Sequence, residues 1–181
     1  QVYLFPLRLE KEGLKNVREG IELALEEHVP MSAKEAIFDY DFMHEDDKSL
    51  EVEVAAASST TIENYISVFR NCFISVQSLE LEAQAIARAV VRKGDLETYI
   101  IVDFGQTRTG IFIVSRGVVV FTSTLDIGGV SLNTAIAKNF GVSSVEAERM
   151  KVEYGLERNA PNKEVFPVLL NSVSVLRDEI V

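Results

Sequence analysis

The sequence predicts a mixed chain of the α/β (α+β) class, and three observations carry that prediction. The first eighty residues alternate short β-rich runs with two amphipathic helical patterns. Three β-rich runs then follow one another between residues 99 and 124 with only polar turns between them, as in a β-meander. After residue 128 the pattern becomes helical, punctuated by Gly128-Gly129, Gly141 and Gly155.

Taken in order, Gln1–Leu9 alternates as a strand, with Pro6 suited to a sheet edge or a strand start. Over Glu12–Val29, the residues Leu14, Val17, Ile21, Leu25 and Val29 recur at helical spacing, and Pro30 stops the helix. Ala36–Met43 and Ser49–Ala57 form a hairpin whose tip, His44 to Lys48, is acidic. Hydroxyls of Ser58–Thr61 cap a helix over Ile62–Asn71 with Ile62, Tyr65, Ile66 and Phe69 on its apolar face. Phe73–Leu79 alternates like one more strand. Leu81–Val91 is rich in small helix formers and reads as a closely packed helix that bridges to the meander, with Lys93-Gly94-Asp95 as its stop. The meander strands are Tyr99–Phe104, Gly110–Ser115 and Val118–Thr124, and helices follow over Ser131–Phe140, from Ser143-Ser144 to Glu153, and over Val165–Val181 beyond a polar loop, Asn159–Lys163. The expected organisation is residues 1–80, a crossing helix at 81–94, and a second part from 95 to 181.

Composition narrows the function classes. With 18 basic against 28 acidic residues the formal net charge is −10, which argues against nucleic acid and against direct attachment to an anionic membrane. No apolar run reaches the length of a membrane span and no signal-peptide pattern opens the chain, so a cytoplasmic protein is expected. The single cysteine, Cys72, rules out an internal disulfide framework and reads, in its apolar context, as a small core residue. His28 and His44 stand apart among acids, without a partner at metal-ligand spacing. Neither end looks like a natural terminus, and the chain reads as a piece of a longer protein.

The stretch with most chemistry is Asp103-Phe104-Gly105-Gln106-Thr107-Arg108-Thr109. A carboxylate at a strand end, followed by a glycine that lets backbone N–H groups approach an anion, can hold Mg²⁺ through water and face phosphate oxygens. Asp and Gly are also ordinary turn formers, and on these residues alone the plain hairpin turn is the favoured reading, which only features further along the chain can shift. Further on, Glu148 and Lys151 share one helix face at i, i+3, where a carboxylate and an ammonium can reach one ligand or simply pair with each other.

Set together, the Asp-x-Gly strand end, the meander, the Gly-Gly turn into a helix and the Glu148/Lys151 pair resemble the second half of actin-like ATPases. Within that superfamily, Gly20–Tyr40 resembles a stretch of the type IV pilus assembly protein PilM family at Glu22, Glu26, Val29, Pro30, Glu35, Asp39 and Tyr40. SLELEAQAIARAV is similar to that family's crossing helix, and DIGGVSLNTAIAKNFGVSSVEAERMKVEYG is similar to its segment after the meander. The cell-division protein FtsA is a relative outside the family.

The resemblance implies an SHS2-like inserted subdomain followed by a partial actin-like (RNase H-like) ATPase subdomain. It assigns Asp103, Gly105, Gln106, Thr107, Arg108 and Thr109 to a phosphate motif with Mg²⁺ at Asp103, and Glu148 and Lys151 to the sugar and base side of ATP. Glu80 falls near the attacking water of hydrolytic relatives, although Leu81 stands where a proline often follows. A glutamate before a helix also suits the helix dipole. The resemblance further implies a scaffold at the inner face of the cell membrane that assembles into a ring or filament, reaches the membrane only through partners, and docks the cytoplasmic tail of a PilN-like protein. If it hydrolyses ATP it does so slowly, and the nucleotide is gripped by two lobes of the full-length protein, so this piece alone is expected to bind none. An FtsA-like divisome protein and a pure interaction scaffold with a decayed site are the alternatives.

Overall fold

The structure is a computed structural model that describes residues 2–158, 161, 162 and 164–180. It divides into two compact units, one made of residues 1–101 and 112–122 and the other of residues 102–111 and 123–181.

The first unit opens with β1 (Val2–Glu10), α1 (Val17–His28), β2 (Ala36–Glu45) and β3 (Ser49–Ser58). The three strands form an antiparallel sheet in the order β1-β3-β2. Strand alternation sends Phe5, Leu7 and Leu9 of β1, Phe38 of β2, and Leu50, Val52, Val54 and Ala56 of β3 to one face. Ile21 and Leu25 of α1 close over that face without solvent exposure, each contributing roughly 1.5–3 kcal/mol of burial. Asn16 caps α1 by accepting from the Glu19 amide at 2.8 Å. The helix therefore starts at Val17 rather than at Glu12, because the residues between hold a turn instead of a helix. The Asp46 carboxylate fixes the hairpin tip, accepting from the amides of Lys48 and Ser49 at 2.8 and 2.6 Å, and these bonds hold its pKa below the ordinary carboxylate value.

Ser58 caps α2 (Ser59–Asn71), accepting from the Thr61 amide. None of the helix's residues is buried, and Tyr65 and Phe69 of the expected apolar face are exposed. Two expectations are corrected here. Phe73–Leu79 is not a strand but irregular chain, starting from Phe73 in the left-handed region at φ 59°; its apolar alternation meets no neighbouring strand, and a strand without a ladder does not form. Cys72, expected in a core, is an exposed free thiol at the end of α2.

The small residues of α3 (Glu82–Val90) allow close packing: Ala83 and Ala87 are buried against Phe112, Val114 and Val119 of the meander. The meander strands are β4 (Thr98–Phe104), β5 (Thr109–Ser115) and β6 (Val118–Leu125), in that order in the sheet. Arg116 and Gly117, both at positive φ (53° and 82°), make the tight β5–β6 turn that matches strand twist.

In the second unit α4 (Gly129–Phe140), α5 (Ser144–Tyr154) and α6 (Val165–Ile180) share a core of Leu132, Ile136, Ala147, Met150, Val165 and Leu169. Gly141 ends α4 in the left-handed conformation, and Ser143 caps α5. The polar loop expected over 159–163 lies largely outside the described residues.

Candidate functional site

The second unit holds two glycine turns locked to each other. The first follows β4, where the Gly105 amide donates to the Arg108 carbonyl at 3.0 Å. The second leads from β6 into α4. Gly129 and Val130 donate their amides to the carbonyls of Gly105 and Gln106 at 3.0 and 2.8 Å. These bonds draw the helix start to Gly129, two residues before the expected Ser131. They also commit two of the helix's four unpaired N-terminal donors to backbone carbonyls. The approach is close enough that a Cβ on Gly128 would lie 2.7 Å from the Gly105 and Gln106 backbone. Thr109, fully buried, donates its hydroxyl to the Ile127 carbonyl at 2.6 Å and adds a second tie between the turns.

An open cleft of about 470 Å³ lies beside this junction. Phe104, Gly105 and Gln106 line it from the first turn, Gly129, Val130 and Asn133 from α4, and Glu148 and Lys151 from α5. The helical i, i+3 spacing of α5 does bring the last two together: the Lys151 ammonium donates to Glu148 at 2.8 Å and to the Gly129 carbonyl at 3.4 Å. Asn133 donates its side-chain amide to the same Glu148 oxygen. The bonds from Lys151 first and Asn133 second hold the Glu148 carboxyl below its usual pKa, so it stays ionised at neutral pH. Since the carboxylate takes the amide's donor end, the Asn133 oxygen faces away from it, buried and without a hydrogen-bond partner among the described residues.

Of the residues expected to form the site, Gly105, Gln106, Glu148 and Lys151 line this cleft. Asp103 does not. It precedes Phe104 on β4, and successive strand side chains point to opposite faces; it makes no hydrogen bond or ion pair among the described residues. Thr107 and Arg108 are exposed, away from the lining. Glu80, in the first unit, accepts from Arg88 at 2.7 Å. Asn133 and Phe104 were not anticipated. Asn133 lies four residues after Gly129, on the same helix face, and that spacing was the available signal. Among the described residues no group of three potential metal ligands occurs.

Chemically, the cleft offers the aromatic side chain of Phe104 from β4, and one ionised carboxylate and one ammonium within a single turn of α5. That set suits a ligand with hydroxyl donors and an anionic group.

Comparison with known proteins bears on the fold and the family. Among solved structures, a PilM-PilN type IV pilus biogenesis complex is similar at TM-score 0.70 and 20% identity, covering 99% of this chain and 53% of that one. MreB5 of Spiroplasma citri bound to ADP is similar at TM-score 0.59 and 19% identity over 68% of this chain and 47% of that one. The ethanolamine utilization protein EutJ from Carboxydothermus hydrogenoformans is similar at TM-score 0.50 and 24% identity, covering 63% and 39%. At these identities the likeness shows the actin-like fold, and the chain spans about half the length of the first two structures. No curated protein matches the chain. A family model described as type IV pilus assembly protein PilM matches residues 4–176, and the chain belongs to that family.

Proposed function

We propose that this chain is the part of an actin-like pilus-assembly scaffold that supplies one wall of a nucleotide site. The observation that carries the reading is the cleft itself, where Glu148 and Lys151 of α5 meet the Gly105-Gln106 turn and the start of α4. The MreB5 structure of the same fold is described as bound to ADP, which supports a nucleotide as the ligand. In this proposal Lys151 and Glu148 receive the sugar and base end of ATP, and Mg²⁺ with the phosphates is held near the Asp103 end of β4. A nucleotide in such a fold needs donors on two walls, so binding belongs to the full-length protein and the isolated chain is expected to bind none measurably. Docking of a PilN-like membrane-protein tail is part of the same reading. It is supported by the PilM-PilN complex among the similar structures. In this proposal the protein works at the cytoplasmic face of the membrane, reaching it only through that partner.

The test is ATP binding to the full-length protein by calorimetry with and without Mg²⁺. The expected result is measurable affinity that falls at least about tenfold, or about 1.4 kcal/mol, in Lys151→Ala. In Asp103→Ala the Mg²⁺ dependence is expected to be lost. Unchanged ATP binding in both variants, together with unchanged pilus assembly, would replace this reading with that of a pure interaction scaffold.

A further inference from the structure

The nucleotide reading leaves unused a second polar feature, on the sheet of the first unit. Asp41 of β2 stands directly opposite Glu53 of β3. Glu53 is only 3% exposed, its Oε2 is buried without a partner, and neither carboxylate takes part in a hydrogen bond or ion pair among the described residues. Asp39, two residues along β2, shares the same face. The cation carried there by β1, Arg8, is engaged by Glu51 and Glu10 at 3.8 and 3.6 Å. Like charges directly opposite one another destabilise a sheet, and a buried carboxyl without a counter-charge is costly. Among the described residues the fold answers neither.

The sheet order β1-β3-β2 also leaves β2 as an outer strand, with a row of backbone N–H and C=O groups that no strand pairs among the described residues. On the opposite face of β2, Tyr40 and Phe42 meet edge-on at 5.5 Å, and Phe42 is 60% exposed. A register shift between Phe42 and His44 ends the regular edge, so the stretch open to pairing is Ile37–Phe42.

We propose that this edge takes an extended segment of a partner protein in which a basic side chain stands opposite Asp41 and apolar side chains flank it. A residue paired with Asp41 projects to the same face with its Cβ about 5 Å away, and an arginine or lysine stem is long enough to bring its charge against the exposed Asp41 and towards the buried Glu53 beside it. The residues on either side of it then project to the other face, against Tyr40 and Phe42. Charge complementarity favours a side-chain cation over a metal ion, since no set of three ligating side chains exists among the described residues.

The experiment is selection of binders to this chain from a random octapeptide display library, repeated against Glu53→Gln and Asp41→Asn. The expected outcome is enrichment of an apolar-basic-apolar core, at least tenfold weaker binding of the selected peptide to either variant, and amide NMR shifts confined to residues 36–42. Glu63→Gln, a neutralisation on α2, is expected to leave affinity unchanged. Should Glu53→Gln not fold, Asp41→Asn and a peptide with citrulline for arginine carry the comparison. Peptides without a basic residue, equal affinity for the variants, shifts elsewhere, no enrichment, or displacement of the peptide by Mg²⁺ or Ca²⁺ would each overturn the proposal.

Discussion

Glu53 is a residue whose protonation is coupled to folding. Burial first, and the Asp41 charge second, push its carboxyl from 4.5 up to about 7. The folded state therefore binds a proton that the unfolded state releases, so its contribution is intact below the ordinary carboxylate pKa and is lost as pH rises through 7. A shift of this size corresponds to roughly 3 kcal/mol. Urea titrations are expected to show Glu53→Gln more stable than the parent by up to about 3 kcal/mol at pH 8, with the difference vanishing near pH 4.5. An equal gain at both pH values would mean that packing, not ionisation, is responsible. Gly128 answers to a different constraint. Its extended backbone suits any residue, but the Gln106 carbonyl lies where a Cβ would go. Gly128→Ala is expected to cost about 1–3 kcal/mol, readable as a lower unfolding midpoint. Such a residue could be suspected from the sequence, because Gly-Gly before a helix marks a turn. Glu53 could not be, because in Glu51-Val52-Glu53-Val54 it alternates like an ordinary solvent-facing position.

The two helices of the first unit that flank its hairpin differ in what they hold together. α1 buries Ile21 and Leu25 in the sheet's core, whereas α2 has no fully buried residue and only half-buries Ile62 and Ile66. Ile21→Ala is expected to cost about 2–5 kcal/mol, while Phe69→Ser on α2 should stay within about 0.5 kcal/mol in the same denaturation assay. A large loss at Phe69 would show that α2 is covered in solution. These elements also show how much of the fold the sequence makes legible. α5, announced by its Ser143-Ser144 start, falls close to its expected span, whereas α1, announced by apolar spacing without a cap, begins five residues later than expected, because the cap hydrogen bond and not the spacing fixes a helix start. Phe73–Leu79 has the alternation of a strand and lacks the neighbour, and whether a neighbour exists is a non-local fact. The cleft follows the same division. Glu148 and Lys151 were paired by helical spacing, while Asn133 joined them only through the packing of α4 on α5.

For the molecule as a whole, charge and covalent chemistry set the behaviour. A net charge of −10 gives polyanions no purchase. The chain is expected to pass through heparin at about 0.1 M salt without retention, and retention would reveal a local basic patch that the net charge hides. The exposed end of α2 carries the chain's one thiol, Cys72. With no second cysteine to close a ring, oxidation in air can join only two separate molecules, through a disulfide that a reductant dissolves. The same solitude makes Cys72 a single attachment point, where a maleimide dye would sit on one known surface and report binding without competing labels.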